Sequence, residues 1–282
     1  MSQGVKRVIR VIKREGVSAY VDIDRFNERI RVVRYEGKIE NALPEILAAA
    51  KKELAEKVIV YAKQQDEAEL AKHLFVTEGL LDGYYLGHRA AVMVRYLSEN
   101  RRLTNSYLAE LEIVETLYKK SPSIRLTATP PFLMSRCEPR DIHQLSMLYK
   151  KVFRTYPTPI FDPVYIEKTM NDNTVYYAMF DDGRLIGAAS AEANPALGHA
   201  EITDCAVLKE YRGHSLMNHL IAALEKEMAD REIFHVFSLA RAASYGMNAV
   251  LHQSGYSYRG RLINNCYIYE SLENMNVWCK TL

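Results

Sequence analysis

The chain has 282 residues, of which 48% are hydrophobic and 26% charged, with a formal net charge of +2. This composition fits a globular enzyme of one large or two modest domains and excludes a disordered chain. A charge so near neutral argues against a nucleic-acid partner, no run approaches the roughly 20 apolar residues of a membrane span, and Cys137, Cys205, Cys266 and Cys279 form no Cys-x-x-Cys pair, so no metal site is expected and a reducing cytoplasm is the expected location.

Taken in order, Lys6, Arg7, Arg10, Lys13 and Arg14 form a basic cluster interrupted by Val8, Ile9, Val11 and Ile12, read as a solvated, partly mobile arm. Residues 17–35 show strand-like alternation around Asp24-Arg25-Phe26-Asn27, a hairpin signal. Asn41 is placed to cap a helix in which Leu43, Ile46, Leu47, Ala50 and Leu54 recur at helical spacing, with Pro44 tolerated in its first turn. A buried strand at 58–62, a helix from Asp66 to about Phe75, and strands across 79–97 with turn signals at Asp82-Gly83 and Gly87 complete a small α/β unit. A helix at 104–120 ends at Ser121-Pro122-Ser123, which divides the chain into an accessory domain at 1–121 and a second domain at 122–282.

The second domain reads as a strand near 125–136, a helix at 141–153, a loop at Tyr156-Pro157-Thr158-Pro159, and strands at 175–180 and 185–192 flanking the hairpin signal Asp181-Asp182-Gly183-Arg184. A strand at 200–207 then feeds a short connection and a helix opening at Arg212-Gly213-His214-Ser215-Leu216-Met217, whose buried stripe is Leu216, Met217, Leu220, Ile221, Leu224 and Met228. A strand at 233–239, a helix at 245–253 stopped by Gly255, and strands at 256–262 and 268–280 follow.

A strand, a glycine-containing turn and a helix N-terminus make a ready anion site, because exposed N–H groups and the helix dipole both favour negative charge. The turn lacks both the Lys-Ser/Thr ending of a nucleoside-triphosphate loop and the three glycines of a dinucleotide fingerprint, which leaves a pyrophosphate of another kind.

This pattern resembles motif A of the GNAT superfamily of acetyl-CoA-dependent N-acetyltransferases, with the frame Arg212-x-x-Ser215-x-Met217 where the family usually has Arg/Gln-x-x-Gly-x-Gly/Ala. The resemblance implies a mixed, twisted α/β sheet flanked by helices, here preceded by the smaller α/β domain. Ser215 and Met217 fit if their backbone angles are helical, with Gly213 available for any positive φ. Before Gly255-Tyr256, Ser244 stands where the family carries Asn and Leu251 where it carries the tyrosine that protonates departing CoA, which leaves the general acid unassigned. Arg25-Phe26-Asn27-Glu28-Arg29-Ile30, Gly260-Arg261-Leu262-x-Asn264-Asn265 and Glu273-x-Met275-Asn276-Val277-Trp278 extend the resemblance to the β-lysine N6-acetyltransferases of bacteria and archaea. That family implies β-lysine supplied by lysine 2,3-aminomutase and a compatible solute as product.

The residue roles follow. Cys205, Ala206 and Val207 are expected to offer main-chain contacts to acetyl-CoA, with the Val207 N–H on the developing oxyanion, and Arg212, Gly213, His214, Ser215, Leu216 and Met217 to surround the pyrophosphate, with Ser244 nearby. Glu201 is the candidate base that frees the amine; its bland reading is a solvent-facing or ion-paired strand residue. Strict alternation puts Asp204 on the opposite face, unless a bulge brings both carboxylates together. Glu192, Asp204, Asn264, Asn265 and Tyr156 are candidate contacts for the small-molecule amine, whose two ammonium groups and carboxylate need partners of both signs. A polyamine, amino acid or protein lysine as acceptor, a non-catalytic acyl-CoA-binding module, and a homodimer stay open. For residues 1–120, closure over the amine, dimerisation and support of the catalytic unit are the three roles considered.

Overall fold

The structure, a computed structural model, describes residues 7–120, 131–268 and 271–282. The first half of the chain runs β1 (Arg7–Arg14), β2 (Val17–Asp24), β3 (Arg29–Gly37), α1 (Leu43–Lys52), β4 (Lys57–Lys63), α2 (Glu67–Lys72), β5 (Val76–Tyr85) and β6 (His88–Tyr96), followed by α3 (Glu99–Arg102) and α4 (Tyr107–Tyr118). The second runs β7 (Leu133–Arg136), α5 (Ile142–Val152), α6 (Pro163–Asn171), β8 (Thr174–Asp181), β9 (Arg184–Asn194), β10 (His199–Val207), α7 (Leu216–Asp230), β11 (His235–Arg241), α8 (Tyr245–Gln253), β12 (Ser257–Ile268) and β13 (Ser271–Thr281). All the described strands belong to one sheet in the order β1-β2-β3-β4-β6-β5-β12-β13-β11-β10-β9-β8-β7.

That order contains a repeat. The series β1-β2-β3-β4-β6-β5 matches β8-β9-β10-β11-β13-β12 position for position. Each series has one parallel pair, β3 with β4 and β10 with β11, and each pair is joined by a crossover helix, α1 or α7. Two such units cannot be recognised from residue identities along the chain, but their connectivity is the same. They meet through equivalent strands, β5 and β12, at Gly79 and Gly260. A Cβ on Gly260 would lie 2.3 Å from the Glu78 carbonyl oxygen, and one on Gly79 would lie 3.3 Å from that of Arg259, so only glycines allow the strands to approach this closely.

Behind that crossing, Ile59, Tyr84, Val92 and Val94 of the first half pack with Phe237, Leu262, Met275 and Val277 of the second. Polar links add to this seam. Arg29 and Arg101 both donate to the Asn265 carbonyl oxygen, at 2.9 and 3.2 Å, and the Asn264 side chain donates to the carbonyls of Arg101 and Leu103 at 3.0 and 2.7 Å. The main core of the second half lies under α5 and α7, where Leu216, Leu220, Ile221, Leu224 and Met228 are buried as their spacing implies. Each such side chain stabilises the fold by about 1.5–3 kcal/mol.

Several local expectations change. Arg7–Arg14 is no arm: it pairs with β2 along its whole length, with Ile12 buried and the basic side chains of Arg10, Lys13 and Arg14 exposed. β1 is the edge strand of the sheet, and charged side chains such as Arg10, Lys13 and Arg14 keep such an edge from pairing with another chain. Lys6 and the expected boundary at Ser121-Pro122-Ser123 lie outside the described residues. Asn41 does not cap α1; its side chain donates to the Glu15 carbonyl, and a 3-10 turn, Ile39–Ala42, leads into the helix instead. Asp82-Gly83 lies within β5 rather than at a turn. α6 was not foreseen, although Asp162 accepts from the Val164 N–H and Pro163 occupies the first helical position, a start signal hidden in what reads as loop. His252, in the last turn of α8, is buried against Tyr118 and Trp278.

Candidate active site

β10 and β11 begin as neighbours and then part. Their parallel ladder covers His199–Glu201 against His235–Phe237 only, although the strands continue to Val207 and Arg241. The cause is a bulge in β10. Its register with β9 runs Glu201 to Glu192 and Thr203 to Ser190, then resumes at Ala206 to Ala188, so Asp204 and Cys205 together oppose Ala189. Asp204 takes φ +50 there, the left-handed conformation in which a β-bulge absorbs an extra residue.

The bulge decides which face each carboxylate occupies. Residues directly opposite in an antiparallel ladder share a face, so Glu201 and Glu192 point the same way. Asp204 joins them: Ser190 Oγ donates to its Oδ2 at 2.8 Å, and the Tyr156 hydroxyl donates to the same carboxylate. The two faces that strict alternation separates are thus merged. Asp204 is 4% exposed. Burial first, then the negative charge of Glu192, pushes its pKa from 3.8 up to about 7, against the lowering effect of the Ser190 and Tyr156 hydrogen bonds. The surrounding wall is aromatic: Tyr149 of α5, Tyr156 of the α5–α6 loop, and Tyr176 of β8, whose hydroxyl is 2.8 Å from Thr169 Oγ1 of α6.

The first half of the chain reaches the same strand from the other end. The Tyr84 ring stacks on His199 with centroids 4.0 Å apart, and His199 Nδ1 lies 2.7 Å from the Tyr84 carbonyl oxygen. A carbonyl only accepts, so Nδ1 carries the proton; burial pushes the His199 pKa down to about 4, and the ring is neutral. Leu86 N–H donates to the Leu197 carbonyl at 2.7 Å, which fastens the β5–β6 hairpin to the β9–β10 hairpin.

At the other end of β10 the chain builds the anion turn. Leu208 N–H donates to the Ile186 carbonyl at 2.9 Å, so Val207, one residue back, turns its own N–H away from β9 and toward the splay. The Val207 carbonyl accepts from Arg212 Nε at 3.2 Å. A 3-10 turn, Lys209–Tyr211, precedes Arg212, and α7 begins at Leu216, four residues later than the motif suggests. Gly213 takes φ +90, as expected, and apart from its chain neighbours no atom of the described residues lies within 4 Å of where a Cβ would stand. Ser215 departs from the expectation: it is the N-cap at φ +55, left-handed rather than helical, the position where the family's glycine would be unstrained. Met217 lies in the first turn of the helix. The first N–H groups of α7 lack intrahelical acceptors and face an open turn bearing Gly213 and His214, both exposed, so these residues suit a diphosphate.

The remaining candidates divide cleanly. Glu192, Glu201, Asp204 and Tyr156 come together on the α5 face, and Cys205, Ala206 and Val207 line the splay. Ser244 is the N-cap of α8, where its Oγ accepts from the Met247 N–H at 3.4 Å. Asn264 and Asn265 stand at the seam with the first half and not among the carboxylates. Leu251 is fully buried in the core, and Tyr256 is 2% exposed, so neither offers an acid to the splay. Ser190 and Tyr149 were not picked out from sequence. The β9 register identifies the first, and nothing in the sequence marks the second, an ordinary apolar-face tyrosine of α5.

Comparison with known proteins agrees with this geometry. Residues 141–255 match the model of the "Acetyltransferase (GNAT) family". The N-acetyltransferase YodP of Bacillus subtilis is 69% identical over 275 residues, covering 98% of this chain and all of that one. Two archaeal proteins named β-lysine N(6)-acetyltransferase are each 29% identical: that of Methanococcus maripaludis over 92% of this chain and 95% of its own, and that of Methanosarcina mazei over 87% and 98%.

Proposed function

The chain belongs to the GNAT acetyltransferase family and is an acetyl-CoA-dependent N-acetyltransferase, and we propose that its acceptor is the side-chain (N6) amine of β-lysine, acetylated by direct attack in a ternary complex. One observation carries the acceptor reading: Glu192, Glu201 and Asp204 share one face beside the splay, a setting that suits a substrate with two ammonium groups. The two archaeal relatives support the same acceptor.

In this reading the amides from Gly213 to Met217 hold the diphosphate of acetyl-CoA, with Arg212 at the rim. Cys205 to Val207 guide the pantetheine arm, and the Val207 N–H stabilises the carbonyl oxygen as it gains charge. A lysine-type ammonium has a pKa of about 10.4, so about three units of deprotonation, or about 4 kcal/mol, must be supplied at neutral pH. Glu201 takes that proton, directly or through water. The neutral nitrogen forms the C–N bond, the C–S bond breaks, and the CoA thiolate takes its proton from water. Asp204, Glu192 and Tyr156 bind the acceptor. Residues 1–121 form an accessory unit that closes the acceptor side through Tyr84.

The test is direct. Purified protein with acetyl-CoA and β-lysine yields N6-acetyl-β-lysine by mass spectrometry, with stoichiometric release of CoA thiol. Absence of that product alongside rapid acetylation of another amine removes β-lysine from the reading. A polyamine is the second reading, favoured by one observation: the Asn264 side chain, expected to help hold a carboxylate, is spent on Arg101 and Leu103.

A further inference from the structure

Tyr149 is fully buried on the core face of α5, yet its hydroxyl has no hydrogen-bond partner among the described residues. Buried hydroxyls are nearly always paired, so an orphan one points to a missing partner. The titratable groups around it are Asp204, Tyr176, Tyr156 and Cys137, with Asp204 the strongest influence after burial. Asp204 is itself buried, and Glu192 opposes its charge. A buried carboxylate that accepts from Ser190 and Tyr156 but is opposed by the charge of Glu192, beside an unpaired phenol, is unfavourable for the empty protein and favourable for a bound cation.

This deepens the reading above and rests on it: we propose that Asp204, Tyr149 and Tyr156 form a receptor for the ammonium group of the acceptor that is not acetylated, with Tyr149 as its specificity-determining residue. A primary ammonium has three N–H donors and no acceptor. The carboxylate and two phenol oxygens match that number, and Tyr149 has its lone pairs free. The receptor suits the nitrogen that stays charged, because a carboxylate and phenol oxygens in a dry site favour the protonated amine, the opposite of what a nucleophile needs. The reacting nitrogen belongs instead near Glu201, three residues back along β10. Tyr156 is only half-buried, on the irregular segment between α5 and α6, and marks the way in.

The receptor is tested by comparing acceptors that differ by one ammonium. Wild-type enzyme prefers β-lysine over 6-aminohexanoate, and 1,5-diaminopentane over 1-aminopentane, by about 100-fold in kcat/KM, the scale set by a charged hydrogen-bonded partner. Tyr149→Phe lowers that preference about tenfold, and Asp204→Asn lowers it to within about threefold. Calorimetric binding of acetyl-CoA verifies that each variant is folded. The two pairs separate the claims: failure on β-lysine with a retained diamine preference removes only the acceptor named above. A wild type that prefers neither diamine, or a Tyr149→Phe enzyme with the full wild-type preference, overturns the receptor.

Discussion

Glu201 on β10 stands directly opposite Glu192 on β9, a like-charged pair in register within the ladder. Like charges so placed destabilise a sheet. Their retention beside a third carboxylate, Asp204, is understandable if the face exists to receive positive charge.

If Glu201 is the proton acceptor, Glu201→Gln lowers kcat by about 100-fold or more at pH 7, the usual contribution of a positioned general base. Calorimetry gives an unchanged affinity for acetyl-CoA. The deficit shrinks as pH approaches the pKa of the free amine, because solvent then supplies the neutral nucleophile. A variant with wild-type turnover at neutral pH removes Glu201 from that role.

Asp204 makes a prediction of opposite character for stability. Its folded pKa is raised from 3.8 to about 7 by burial and by Glu192, so the native state binds the extra proton and stability falls as pH rises through that window. Asp204→Asn, which cannot ionise, therefore melts higher than wild type at pH 8 by at least about 2–4 °C, the shift expected for 1 kcal/mol in a chain of this size. Near pH 4 the two melt together. In the same window the acceptor KM of the wild type rises as pH falls below about 7, because a proton on Asp204 competes with the ammonium; Glu192, Tyr149, Tyr156, Tyr176 and Cys205 are the titratable groups facing it.

The anion turn carries strain at a known place. Ser215 is held at φ +55, which costs an L-residue about 1–2 kcal/mol. Ser215→Gly therefore stabilises the protein by about 1 kcal/mol in urea titration and keeps acetyl-CoA binding. Gly213→Ala, at φ +90, destabilises by a similar amount and weakens that binding. Equal stability of Ser215→Gly and wild type would show that serine fits the site without strain.

The seam is tested at Gly260. Its Cβ would overlap the Glu78 carbonyl, so Gly260→Ala costs about 3 kcal/mol or more and pushes β5 and β12 apart. Loss of amide-exchange protection near Gly79, far from the substitution in sequence, is the expected signature.

The sequence made some of this legible and concealed the rest. The α7 stripe and the Asp182-Gly183 hairpin were readable because burial period and turn chemistry are local. Glu201 and Glu192 were readable as residue types, but not as partners, because register is a property of two strands. The bulge at Asp204 could be entertained and not located, since nothing in Thr203-Asp204-Cys205 forces positive φ. Arg7–Arg14 reads as an arm because Arg-Val-Ile-Arg-Val-Ile-Lys-Arg has no strand period of two, and only its pairing with β2 makes it a strand. The duplicated strand order was invisible because it repeats connections, not residues. Tyr149 became notable only when its hydroxyl was seen to lack company.

The duplicated half also has a splay, since β3 and β4 pair only over Arg29–Val32 and Lys57–Val60. There, however, phenols have sutured the gap. Tyr84 Oη donates to the Val33 carbonyl at 2.9 Å, Tyr85 Oη to that of Tyr61 at 2.6 Å, and the Lys63 N–H donates to Tyr35 Oη at 2.8 Å. With those backbone groups already paired, the molecule is a twin with one open mouth, and calorimetric titration is expected to give a single equivalent of coenzyme.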